Sequence, residues 1–89
     1  MRVIKFRKYF LTLKESREII DRSVAEIPGM DAVFQRRKIS LQVLEVPFKE
    51  GIAKVYYLEG VPVLVGLPDG KLVPFLTAVE RFNLPLPKV

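Results

Sequence analysis

From residue 47 onward the chain is broken by turn signals at nearly even intervals, and these limit its possible folds more than any other feature. Pro47 and Phe48-Lys49-Glu50-Gly51 make the first break, Glu59-Gly60 the second and Pro68-Asp69-Gly70 the third. Gly and Asp suit such places because they tolerate left-handed backbone or close local turns. The stretches between are too short for stable helices and are rich in β-branched and aromatic residues, as pleated, half-buried segments are. Strands are therefore predicted over Ile52–Leu58 and Val61–Leu67, with a short one at Lys71-Leu72-Val73. Glu59-Gly60 leaves room only for a tight hairpin. Upstream, Ile39, Leu41, Val43 and Val46 alternate with Ser40, Gln42 and Glu45, apart from apolar Leu44. This predicts a strand to about residue 46, ended by Pro47. Pro62 lacks an N–H, which predicts a strand start or a sheet edge there.

The first third of the chain has a different period. Val3, Ile4, Phe6, Tyr9, Phe10 and Leu11 alternate loosely among basic residues and predict a strand over about 2–10. Thr12-Leu13-Lys14-Glu15 is a capping-box pattern, in which hydroxyl and carboxylate each accept the other residue's backbone N–H. Leu13, Ile20, Val24 and Ile27, with Ile19 beside them, predict the apolar face of a helix over about 13–26. Lys14–Glu18, Glu18–Arg22 and Arg22–Glu26 are i,i+4 pairs on its other side. Pro28-Gly29 stops it, and Asp31 is the expected cap of a short second helix carrying Ala32, Val33 and Phe34. Near the C-terminus, Pro74 suits a first helical position. Phe75, Leu76, Val79 and Phe82 predict a last helix over about 74–82, with Asn83 ending it. Leu84-Pro85-Leu86-Pro87-Lys88-Val89 reads as an extended Pro-rich tail or exit linker. Strand, helices, meander and helix together give an α+β class: a small antiparallel sheet packed with about three helices.

Several function classes are excluded by residues that are missing. The 89 residues contain no Cys and no His. Disulfides, thiolate or imidazole zinc sites, and nucleophile–imidazole catalysis are therefore impossible. A reducing compartment, the cytoplasm, is expected. No apolar run approaches the length of a membrane-spanning helix. The five glycines sit at turns or strand ends and form neither a dinucleotide nor a phosphate loop. No two carboxylates are forced together by spacing, so no catalytic residue, metal ligand or cofactor is expected, and the chain is not expected to be an enzyme.

Charge carries the positive signal. Residues 1–38 hold ten Lys and Arg against five acids, while residues 39–89 hold five against five, so the whole +5 excess lies in the first part. Such asymmetry is read equally as a sign of a polyanionic partner and as a well-solvated charged surface. The candidate RNA-binding residues are Arg2, Lys5, Arg7, Lys8 and the cluster Arg36, Arg37 and Lys38, whose phosphate contacts require convergence on one face. Core packing is the expected role of most of the aromatic residues, and no RNP-type pattern or GXXG loop is present, while base stacking on an exposed sheet would use some of them with nearby Arg or Lys. Tyr56 and Tyr57 are consecutive in a strand and face opposite ways, so one of them can be exposed for base stacking.

Several segments, taken in order, resemble a known arrangement. Phe10-Leu11-Thr12-Leu13-Lys14-Glu15 opens a helix that closes on Ile27-Pro28-Gly29-Met30. Tyr57-Leu58-Glu59-Gly60-Val61-Pro62-Val63-Leu64-Val65 leads through Asp69-Gly70 to Leu72-Val73-Pro74-Phe75-Leu76 and Leu84-Pro85-Leu86-Pro87-Lys88-Val89. Over nearly its whole length the chain is similar to the pre-PUA domain. That domain is the N-terminal domain of archaeal PUA-domain proteins related to the malignant T-cell-amplified sequence protein and ligatin, translation factors acting on the small ribosomal subunit. The resemblance implies a single pre-PUA-like domain over 1–83, followed after the tail by a PUA domain that does much of the RNA recognition. It also implies docking on RNA, the small ribosomal subunit or a partner protein, either in a translation factor or beside a tRNA-modifying activity. Phe75 and Thr77 stand where the family has Thr and then Arg, so a contact made by that polar pair does not carry over.

The expected function is a non-catalytic accessory domain that binds RNA or the small ribosomal subunit through a basic face. The alternatives are a protein–protein docking module and an accessory domain of a tRNA-modifying enzyme.

Overall fold

The computed structural model describes residues 7–34, 40–49 and 51–82. The expected strand residues 2–6, the basic cluster 36–38, Asn83 and the tail 84–89 lie outside them. The elements run β1 (Arg7–Phe10), α1 (Leu13–Glu26), α2 (Met30–Phe34), β2 (Gln42–Phe48), β3 (Gly51–Leu58), β4 (Val61–Gly66), β5 (Leu72–Pro74) and α3 (Phe75–Phe82). The five strands form one antiparallel sheet in the order β1-β2-β3-β4-β5. The α+β class, the antiparallel sheet and the three helices are those the sequence predicts.

Each face of the sheet has its own core. On one face Val43, Tyr56, Leu64 and Leu72 pack with Leu41 and with Met30 and Phe34 of α2, and Ile19 and Ile20 of α1 close over them together with Ile27 at its C-terminal cap. On the other, Leu44, Val46, Ala53, Val55 and Val65 pack with Ala78, Phe75 and Phe82 of α3. The continuous apolar pair Val43-Leu44 is thereby explained, since a strand covered on both sides need not alternate with polar residues.

The turns follow the sequence signals. Glu59 and Gly60 both have positive φ (51° and 82°), as a two-residue hairpin turn demands. Gly70 donates to the Leu67 carbonyl at 2.9 Å, and Asp69 accepts from the Lys71 N–H at 3.0 Å. Pro47 does not end β2, contrary to expectation. Phe48 and Gly51 close the hairpin, so Pro47, opposite Ile52, falls at the position that exchanges no ladder bonds with β3. Pro62 lies in β4, which is interior to the sheet, but the register slips between Tyr56 and Tyr57 so that Val63 is an extra residue. The bulge interrupts the ladder beside Pro62, and β5 pairs only from Leu64 onward.

Helix α1 has the predicted limits and cap. Thr12 Oγ1 accepts from the Glu15 N–H, and Glu15 Oε1 accepts from the Thr12 N–H, both at 3.1 Å. These bonds to the Thr12 backbone and side chain hold the Glu15 carboxyl below its usual range. The buried face of α1 differs from the expected one. Leu13 is 56% exposed and Val24 is also exposed, whereas Ser16 and Ser23 are fully buried. The inward face is Ser16, Ile19, Ile20, Ser23 and Ile27, turned by about 40° from the expected one at 100° per residue. Two serines seven residues apart let the helix backbone lie close to the sheet, and both hydroxyls are satisfied. Ser16 Oγ accepts from the Leu41 N–H at 2.9 Å, and Ser23 Oγ donates to the Ile20 carbonyl at 2.8 Å. Of the three expected i,i+4 pairs only Arg22–Glu26 is close, at 3.7 Å. Arg22 also donates to the Gly70 carbonyl at 2.8 Å, tying α1 to the β4–β5 turn.

The remaining helices start two residues early (α2) and one residue late (α3) relative to expectation. Asp31 does not cap α2, which begins at Met30 and places Asp31 in the first turn. Pro74 is the last residue of β5, and α3 starts at Phe75. Leu76 and Val79 are exposed, and the helix instead turns Phe75, Ala78 and Phe82 to the sheet.

Candidate nucleic-acid interface

Among the candidate basic residues, Arg7 and Lys8 are described, both on β1. This strand has β2 on one side, and no other described strand pairs with it. Consecutive strand residues face opposite sides, so the two are not brought onto one face. Arg7 faces the α1/α2 side. Its side chain is 75% exposed, lies 3.8 Å from Glu45 and stacks 4.8 Å from the Tyr9 ring centre. Tyr9 donates to Glu45 Oε2 at 3.4 Å, and its phenol is pushed above its ordinary value by burial and then by the Glu45 charge. Glu45 therefore offsets much of the Arg7 charge, and this corner reads as a surface ion pair of small energetic consequence.

Lys8 faces the α3 side. Its ammonium lies 5.5 Å from the centre of the Tyr57 ring, within cation–π range. Among the described residues no carboxylate lies within ion-pair distance of it. Phe10 shares this face of β1 and is 70% exposed. Register places Phe10 opposite Gln42 and Gln42 opposite Tyr57, so the three form one row across β1, β2 and β3. Tyr57 is half-buried, which raises its phenol above the ordinary value, whereas Tyr56 points into the opposite core and is 5% exposed. One member of the tyrosine pair is thus accessible, as their alternation predicts.

The path of α3 explains why the row is open. The helix leaves the sheet after Pro74, opposite Leu64, and ends where Phe82 meets Phe48 edge-on at 5.4 Å. It therefore crosses the face toward the β2–β3 hairpin and away from the corner made by Phe10, Gln42 and Tyr57. At the hairpin Lys49 lies 5.4 Å from the Phe48 ring and 5.9 Å from that of Phe82, a second cation on this face. Charge counting passes over Phe10, Gln42 and Lys49. The signal for Phe10 is its place two residues after Lys8 in a strand, which fixes the shared face before any pairing is known.

Among the described residues no group of three or more acidic side chains is placed to hold a metal ion. No described helix is long and apolar enough to cross a membrane. Searches against protein-family models, curated proteins and solved structures give no match to this chain.

Proposed function

We propose that this chain is a non-catalytic accessory domain of an RNA- or ribosome-associated, translation-related protein of the PUA type, working in the cytoplasm. On this reading it binds RNA or the small ribosomal subunit through its basic first part. The observation that carries the reading is the exposure of Lys8 and Phe10 together on one face of β1, within the segment that holds the entire charge excess. An ammonium with no carboxylate partner among the described residues, beside exposed aromatic surface, suits phosphate and base together. The ordered resemblance to the pre-PUA domain supports the same assignment.

The test is binding of the chain to purified small ribosomal subunits and to tRNA at low and moderate salt. Phosphate contacts weaken steeply as salt rises, with a log–log slope near the number of contacts. Neutralising Lys8 together with Arg36, Arg37 and Lys38 is expected to flatten that slope. Salt-insensitive binding, or none, would sink the reading. A protein-docking module is the second reading, favoured by exposed Leu76 and Val79, one turn apart on α3. In that case Leu76→Glu abolishes association, and salt has little effect.

A further inference from the structure

We infer that the Phe10–Gln42–Tyr57 row, with Lys8 beside it, is a stacking platform for unpaired bases of single-stranded RNA. The inference rests on the RNA-binding reading above and narrows it to one surface and one kind of substrate.

The two aromatic residues lie on β1 and β3 with Gln42 of β2 between them. Two strand spacings put their backbones about 10 Å apart, so each ring takes its own base. Gln42 lies within reach of either base edge with amide donors and a carbonyl acceptor. Lys8, whose ammonium lies against the Tyr57 ring one row along the sheet, holds a positive charge beside the platform for a phosphate of the bound strand. The bulge opposite Tyr57 strengthens the local twist of the sheet at this corner. An apolar protein surface fits the row less well, because it would bury the Lys8 ammonium and the Gln42 amide without partners. A duplex fits less well too, because its base faces are stacked on one another.

The chain contains no Trp, so Phe10→Trp introduces a single reporter at the platform. Fluorescence is followed as an eight-nucleotide oligo(U), an oligo(A) of equal length and a blunt RNA duplex are added. Indole emission should be quenched by both single strands and not by the duplex. Phe10→Ala should weaken single-strand binding by about 5- to 150-fold, the range for loss of one base–aromatic stack. Its duplex binding should be unchanged, and Phe10→Tyr should retain single-strand affinity. Because Phe10 is exposed, its variants are expected to fold, and their circular dichroism spectra check this. Binding of single strands with no quenching, and no effect of Phe10→Ala, would overturn the platform and leave the RNA reading standing. No binding of any RNA, including ribosomal subunits and tRNA, would remove both.

Discussion

The two faces of this sheet are built from the same five strands and are closed to different extents. On the α1/α2 side two helices cover Val43, Tyr56 and Leu64, and even the polar atoms near that core are paired, as Ser16 is with the Leu41 N–H. On the other side one eight-residue helix covers Val55 and Val65 but stops short of β1, leaving Phe10 exposed and Tyr57 half-exposed. An 89-residue chain has material for one well-covered layer and part of a second. The α1/α2 face is therefore closed along its length, while the corner of the other face is open to a ligand. Substitutions on the two faces should separate these roles.

The largest effect is expected at Leu64, fully buried on a central strand. Leu64→Ala should destabilise the domain by about 2–5 kcal/mol through lost burial and the cavity left behind. Urea titration checks this. A cost below 1 kcal/mol would mean that the α1/α2 side is not the main core.

Ser16→Ala comes next. It removes the acceptor for the Leu41 N–H in a buried place, at a cost of about 1–3 kcal/mol. Ser16→Thr should keep the bond but crowd the approach of α1 to the sheet, so it should recover only part of the loss. If Ser16→Ala is neutral, water reaches that amide and the closed face is looser than the burial of Ser16 implies.

Much of this fold is legible in the residues, and the failures have identifiable causes. Turn chemistry at Glu59-Gly60 and Asp69-Gly70, and the capping box at Thr12 and Glu15, act over a few residues and need no tertiary information. The helical faces are different. Hydrophobicity alone selects Leu13 and Val24, yet the sheet accepts Ser16 and Ser23, because close approach favours small side chains and the hydroxyls can be satisfied locally or by Leu41. On α3 the same rule selects Leu76 and Val79 over Ala78, again because the sheet lies too near for a large residue. The basic signal was legible as an excess in the first 38 residues. Its arrangement was not, since Arg7 and Lys8 separate onto opposite faces and the aromatic neighbours of Lys8 come from β1 and β3.

Raising the pH should reveal the closed face through Tyr56. Burial is the main cause that raises its phenol above the ordinary value of 10.0. A raised folded-state value means that its stabilising contribution is complete below about pH 10 and is lost as pH rises through the folded value. The urea midpoint of the native protein should fall across this alkaline range. Tyr56→Phe should flatten the fall, and Tyr57→Phe should flatten it less, because Tyr57 is less buried. Equal effects of the two substitutions would mean that the faces are equally closed. Thr12→Ala should have a smaller effect at neutral pH, about 1 kcal/mol from the lost cap. It should also lessen, without removing, the acid-side loss tied to Glu15, because Ala keeps the backbone N–H that is the first cause of the lowered carboxyl; that carboxyl favours folding above its unfolded value and loses the contribution as pH falls through the folded one.

The smallest stability change is expected at Phe10, whose ring is 70% exposed. Phe10→Ala should move the unfolding free energy by no more than about 0.5 kcal/mol, the range for surface sites away from caps and cores. A residue with no stability role has no structural reason to be a large apolar ring on a strand at the sheet's open corner, where an exposed aromatic favours unwanted association. A stability cost near zero, combined with a measurable loss of RNA binding, would mark Phe10 as kept for recognition. A cost of 2 kcal/mol or more would show instead that its ring is covered in solution and belongs to the core. The contrast between a closed and an open face would then fail at the residue that defines it.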